Sequence, residues 1–276
     1  MGIKFKNVSY KESIKKINLD LVANQVVAII GEDEGVKDIF DLIYGFKLPC
    51  DGEISVNRNI INADVNEKKL VKIRNNVAYL TENDNDMLFN INVLEDIKYG
   101  INKLNDKKLY EFLEMFNLDE KILSKDYMEI SSSEKRKINI ISVLLKDSKV
   151  TLLSNLSDSL DTKSKQNLVK YLRKEKRNNK LYIVSSTNAD FLLQVADSVI
   201  VVNNKNSSVT DAIKFESDKY SVFEDTKVMN NIGMDMAWVI KFKNRVREMK
   251  NIKLNHRDNV NDLLKDIYRN ATKVNK

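Results

Sequence analysis

Val26-Val27-Ala28-Ile29-Ile30-Gly31-Glu32-Asp33-Glu34-Gly35-Val36-Lys37-Asp38-Ile39-Phe40-Asp41-Leu42-Ile43 is the most informative stretch of this chain. Its first five residues are a continuous apolar run, rich in β-branched side chains. Such a run suits a strand covered on both faces. Gly31 and Gly35 bound a short polar segment, and Ile39, Phe40, Leu42 and Ile43 then recur at helical spacing. The reading is strand, loop, helix, which is the repeating unit of an α/β protein.

The pattern extends in both directions. Residues 3–10 and 16–22 alternate apolar and polar, as half-buried strands do. Pro49-Cys50-Asp51-Gly52 reads as a turn before a strand at 53–56, and residues 77–81 read as another short strand. Residues 91–145 read as mostly helical, with Leu104, Leu109, Phe112, Leu113 and Phe116 on one face. Short buried strands are expected at 150–153, 181–185 and 198–202, with a charged amphipathic helix over 162–178. Strands alternating with helices around a helical insert give a doubly wound α/β core. Residues 203–276 change style, with strand-like pieces followed by helical stretches near 234–249 and 258–270.

Composition narrows the function classes. The chain has 276 residues, enough for a sizeable core, with 42% hydrophobic and 31% charged residues. Lys and Arg number 46 against 40 Asp and Glu, a net charge of +6 spread along the chain. The basic excess is greatest from Lys241 to Lys276, with eleven Lys and Arg against four Asp and Glu. No nucleic-acid-binding motif accompanies it, so a solvated face is expected and no nucleic-acid partner. Cys50 is the single cysteine, which excludes a disulfide scaffold and suits a reducing compartment. His256 is the single histidine, so histidine-based zinc sites and Ser-His-Asp chemistry are not expected. Residues 1–30 do not read as a signal peptide, and no apolar run approaches the ~20 residues of a membrane span.

Downstream segments identify a family. Asn83-Asp84-Asn85-Asp86-Met87-Leu88-Phe89 and Val93-Leu94-Glu95-Asp96-Ile97-Lys98-Tyr99-Gly100 resemble the stretch after the Q-loop in ATP-binding cassette (ABC) ATPases. They are most similar to those of energy-coupling factor (ECF) transporters. Ile130-Ser131-Ser132-Ser133-Glu134 falls where that family has its L-S-G-G-Q signature. Residues 150–161 fall on the Walker B strand and D-loop, and Ala196-Asp197 on the A-D after the H-loop. Val222-Phe223 and Ile232-Gly233-Met234-Asp235 resemble motifs of the ECF ATPase tail. The resemblance implies a P-loop NTPase-like cassette with a β-rich N-terminal part, a central helical insert and a small C-terminal extension. Its expected bounds are a nucleotide-binding domain over 1–205, an insert over about 86–146, and a dimerisation or interaction region over 206–276.

The departures from the family are systematic. A phosphate-binding loop turns backbone N–H groups inward at a helix N-terminus, and its glycines permit close approach and unusual φ. Of that motif Gly31, Gly35 and Lys37 remain. Glu34 and Val36 replace glycines, and Asp38 replaces the magnesium-binding hydroxyl. A valine there is expected to resist positive φ. Glu32, Asp33, Glu34 and Asp38 are expected to crowd four carboxylates around Lys37. A like-charge contact at ~5 Å costs about 3 kcal/mol at an effective dielectric of ~20. The plainer reading, and the preferred one, is a polar strand-to-helix turn capping a helix. By the resemblance, Glu82 replaces the Q-loop glutamine, Ser154 the Walker B aspartate, Asn155 the catalytic glutamate and Thr187 the switch histidine. Glu12 stands near the adenine-stacking aromatic position. The expectation is a pseudo-ATPase with no catalytic residue, no metal site and no required cofactor, any ATP and magnesium binding being weak. Ser131 keeps the signature serine, but Ser132, Ser133 and Glu134 depart from the motif.

Partner surfaces are implied by the same resemblance. Leu88, Phe89, Val93 and Tyr99 line the family's groove for a transmembrane coupling protein, or are simply core. Met234, Met236, Trp238, Val239, Phe242 and Val246 form an apolar stripe that either packs the tail on its own cassette or joins a second cassette, as a homo- or heterodimer. The implied location is cytoplasmic, peripheral to the inner membrane face. The competing reading is a divergent but hydrolysing ECF-type subunit that drives uptake.

Overall fold

A computed structural model describes residues 2–11, 13–101, 103–157, 159–202, 213–216, 218–250 and 254–274. The strands are β1 (Gly2–Tyr10), β2 (Ile14–Val22), β3 (Gln25–Gly31), β4 (Asp51–Val56), β5 (Asn59–Ile61), β6 (Val77–Leu80), β7 (Val150–Leu153), β8 (Leu181–Ser185), β9 (Ser198–Val202) and β10 (Ile213–Glu216). The helices are α1 (Asp33–Tyr44), α2 (Glu67–Asn76), α3 (Val93–Lys98), α4 (Asp106–Met115), α5 (Ser132–Leu145), α6 (Thr162–Glu175), α7 (Ala189–Val195), α8 (Lys219–Phe223), α9 (Thr226–Asn231), α10 (Trp238–Lys250) and α11 (Val260–Val274).

Two sheets result. One is antiparallel, in the order β2-β1-β4-β5. The other runs β10-β9-β3-β8-β7-β6 and is parallel except for β10. The apolar run of β3 places this strand in the middle, between β8 and β9. Its alternate residues separate two cores. Val27 and Ile29 join α1, α2 and the antiparallel sheet on one side. Val26, Ala28 and Ile30 join the helical insertion, α6, α7 and the tail on the other. The continuous β-branched runs are thus buried from both faces, as parallel strands require.

The strands at 26–30, 53–56, 77–80, 150–153, 181–185 and 198–202 match their sequence patterns. The stretch 91–145 is three α-helices joined by turns and short 3-10 segments rather than one run. Asn92, Asn105 and Ser131 start those helices, each side chain accepting a backbone N–H of the first turn, as N-caps do. Helices α2, α7, α8 and α9 carry no long periodic stripe and were not read from the sequence. The tail packs on α7 and β9 through Val222, Phe223, Met229, Ala237, Val239, Ile240 and Leu263, all buried in the second core. The boundary expected at 205/206 and the position of Glu12 lie outside the described residues.

Candidate functional site

The C-terminal ends of the parallel strands open into a cleft of about 930 Å³. This is where doubly wound sheets place their ligands. Gly31 enters from the end of β3, Asp33, Val36 and Lys37 from α1, and Glu82 from the end of β6. Ser154 and Asn155 follow β7, and Ser185, Ser186 and Thr187 end β8. The strand order therefore gathers Gly31, Lys37, Glu82, Ser154, Asn155 and Thr187, which are dispersed in sequence. One wall is a surprise from the tail: Asn230, Ile232, Gly233, Met234 and Asp235. Met234 thus lines the cleft. Lys37 is the only Lys or Arg among the lining residues, against Asp33, Glu82 and Asp235.

The segment after β3 takes the plainer of the two expected forms, a short turn into a helix. Helix α1 begins at Asp33, with Glu32 as its N-cap, and the Val36 N–H already bonds the Glu32 carbonyl at 3.0 Å. Gly35 and Val36 are buried inside the helix, so the expected conflict of valine with positive φ does not arise. Asp33 and Glu34 in the first turn complement the positive end of the helix dipole. Gly31 keeps φ at 143°, and a Cβ there would lie 2.0 Å from the Val202 carbonyl oxygen. Its smallness serves the close approach of β9.

Asp38 is not in the cleft. It is buried and accepts the Ser13 hydroxyl and the Lys47 ammonium, each at 2.6 Å. Lys47 also reaches Asp41 at 3.1 Å, and Asp41 accepts the Tyr79 hydroxyl at 3.1 Å. Burial lowers the Lys47 pKa, but its bonds to Asp38 and Asp41 outweigh this and hold it above the ordinary lysine value. Burial, then the Asp41 charge, pushes the Tyr79 phenol well up. Glu32 and Glu34 are exposed and absent from the cleft wall. Of the four carboxylates expected around Lys37, Asp33 alone lines the site.

The floor after β7 and β8 is polar, formed by Ser154, Asn155, Ser185 and Ser186. Asn155 adopts φ 45°, a conformation asparagine tolerates, and its N–H donates to Ser185 Oγ at 3.0 Å. The Asn155 Oδ1 atom is buried without a hydrogen-bond partner among the described residues. Among these residues no three Asp, Glu, His or Cys side chains converge on a point that could hold a metal ion. Ser154 and Asn155 bring no carboxylate to the floor and Asp38 is committed elsewhere, so Asp33, Glu82 and Asp235 are the acidic groups that line the cleft. Gly35 lies within the first turn of α1, whose N-terminus carries no side-chain cap.

Ser131 lies outside the cleft and caps α5. The Ser131 N–H and hydroxyl both donate to Glu134, at 2.8 and 2.7 Å, and these bonds hold the Glu134 carboxyl below its ordinary value. On another surface Phe89 stacks on Tyr99 with centroids 4.4 Å apart. Both are about 60% exposed, and exposed Leu88, Ile91 and Met128 are near in sequence or turn. Val93 is fully buried and belongs to the core, so it can touch no partner directly. Half-exposed Trp238 stacks on Phe242 at 5.1 Å, and its backbone N–H donates to Asp190 Oδ1 at 2.9 Å.

A doubly wound sheet with an antiparallel β-layer and a helical insertion between β6 and β7 defines the cassette class of P-loop folds. The ABC transporter family model matches residues 14–155, and the chain belongs to that family. A putative ABC transporter ATP-binding protein of Clostridium acetobutylicum is 30% identical, over 83% of this chain and 81% of the relative. The energy-coupling factor transporter ATP-binding protein EcfA3 of Oenococcus oeni is 25% identical, over 91% and 96%. Among solved structures, cbiO1 of Clostridium perfringens, part of the ABC transporter complex cbiONQ, shares the fold with a TM-score of 0.66. It is 20% identical over 91% of this chain and 98% of that one. Among the described residues no helix is long and apolar enough to cross a membrane.

Proposed function

We propose that this chain is a cassette subunit of an ECF-type transporter assembly whose own cleft does not hydrolyse ATP. It acts as a scaffold or regulator by binding another cassette, a membrane-embedded coupling protein or both, and through them lies at the inner membrane face. The relatives' names support the assembly type. One observation carries the catalytic reading: Asn155 stands on the cleft floor, at the place the resemblance gives to the base, and an amide cannot accept a proton from water. The helical start at Asp33 and the diversion of Asp38 to Lys47 act in the same direction. The cassette is then a protein–protein device, with 1–205 as its body and 206–276 as its interaction region.

A second reading, a divergent hydrolysing subunit, is favoured by similarity over nearly the full length of proteins named as ATP-binding, and by Lys37 facing the cleft. Calorimetric titration of the purified chain with MgATP and with metal-free ATP, up to millimolar, separates them. No heat in either titration supports a purely interacting cassette. Binding only without metal indicates a nucleotide sensor. Tight MgATP binding, followed by turnover beside a competent cassette, overturns the proposal.

A further inference from the structure

Arg136 is a buried cation that the cleft does not use directly. It projects inward from α5 and is 3% exposed. Its guanidinium donates to the Thr81 carbonyl at 2.8 Å and to Asp84 Oδ1 at 2.9 Å, just past the end of β6. It also donates to the Ser154 carbonyl and, at 3.0 Å, to the Asn155 carbonyl, just past the end of β7. The network continues outward. Asn139 Nδ2 donates to Asp84 Oδ1 at 3.0 Å, and the Tyr127 hydroxyl donates to Asn139 Oδ1 at 2.7 Å. The Tyr127 N–H then bonds the Ile91 carbonyl at 2.8 Å, inside the exposed apolar segment.

The helical insertion joins the strand core covalently at two points only, after β6 and before β7. The first crossing, Thr81 to Asp86, is a polar turn with only Met87 beginning its return to the core. Such a crossing is where one body would pivot on the other. Arg136 fastens this pivot to the neighbouring strand end, using a planar fork that spans several acceptors at once. Lys137 adds a fastening of α5 to Asp161 at 2.7 Å.

We infer that Arg136 locks the insertion to the strand core, so that the cleft floor and the Phe89–Tyr99 surface move as one body. The surface offered to a partner is then the same whatever the cleft holds. This holds whether or not the cleft hydrolyses nucleotide.

Spin labels test the lock in the full chain. Cys50 is exposed and the only cysteine, and Tyr110, exposed on α4, is replaced as Tyr110→Cys to give the second label. With Arg136 intact, the interspin distance distribution is expected to be narrow and unchanged by MgATP up to millimolar. Arg136→Gln is expected to broaden it at least twofold, and Arg136→Lys to give an intermediate width, because one ammonium cannot span both strand ends. A broad or two-peaked distribution in the Arg136 chain overturns the inference, as does an unchanged width in folded Arg136→Gln. Should Arg136→Gln not fold, hydrogen exchange in the unmodified chain decides. The Asp86 and Ser154 amides are expected to exchange within tenfold of those in the middle of α5, as one cooperative unit. A hundredfold faster exchange at both overturns the lock.

Discussion

The Lys47 ammonium and the Asp38 carboxylate are 2.6 Å apart, with Asp38 almost fully buried and Lys47 partly open to solvent. This pair, with the Ser13 hydroxyl, turns Asp38 away from the cleft and into the packing between α1 and the end of β1. Lys47→Met leaves a buried carboxylate with only its hydroxyl donor. The expected loss is about 2 kcal/mol, below that of a fully buried pair because Lys47 is still wetted. Because Lys47 is held above the ordinary lysine value, its contribution is complete below the unfolded pKa of ~10.4 and fades as pH rises through the folded value. Urea midpoints from pH 8 to 11 should therefore show the gap between the two proteins narrowing. A gap that widens with pH would contradict the pairing.

Gly31 admits no side chain. The 2.0 Å approach of a Cβ to the Val202 carbonyl, at φ 143°, opposes both packing and backbone conformation. Gly31→Ala is expected to destabilise by about 3 kcal/mol. Denaturant unfolding checks this. A loss under 0.5 kcal/mol would mean that β3 and β9 separate more easily than the geometry allows.

Glu134 closes the N-terminus of α5 by accepting from Ser131. Glu134→Ala should remove about 1 kcal/mol of helix capping. The carboxyl is held below its ordinary value, chiefly by the Ser131 hydroxyl and N–H. Its contribution is therefore present above the unfolded pKa of ~4.3 and lost as pH falls through the folded one. Thermal melts at pH 7 and pH 3 should show the variant's deficit shrinking in acid. An equal deficit at both pH values would assign the cap to something other than charge.

Phe89 and Tyr99 stack on each other and both remain largely exposed to solvent. Phe89→Ala should change stability by less than about 1 kcal/mol, yet weaken capture of a membrane-embedded partner at least tenfold if this face docks it. Copurification with solubilised membrane components, compared with thermal melts of the same variant, separates the two effects. Equal capture by wild type and variant would remove this face from the interface.

Much of the fold was legible because its signals are local. Val26–Ile30, Val150–Leu153 and Val199–Val202 are short runs, apolar except for Thr151 and too short for helices, and each is a buried strand. Glu82, Ser154, Asn155 and Thr187 were legible through the family resemblance, and the fold gathers them because each lies within two residues of the end of a strand. The misreadings share another cause. Gly31 to Asp38 carries glycines and carboxylates that suit both a loop and a helix first turn, and only the packing of α1 on β3 selects the helix. Val93 resembles a groove residue in sequence, yet is buried by the insertion packed over it.

Local periodicity and the order of strand and helix signals were enough to specify a doubly wound α/β core, and the resemblance of its motifs to a known family supplied the cassette and the positions of its site. They could not specify which polar groups meet. Asp38 with Lys47, Arg136 with two strand ends, and the Asn230–Asp235 wall beside Lys37 join residues from 9 to about 200 positions apart in the chain. A charged side chain reads the same whether it faces water or a buried carbonyl. The burial that distinguishes the two exists only once distant elements have packed.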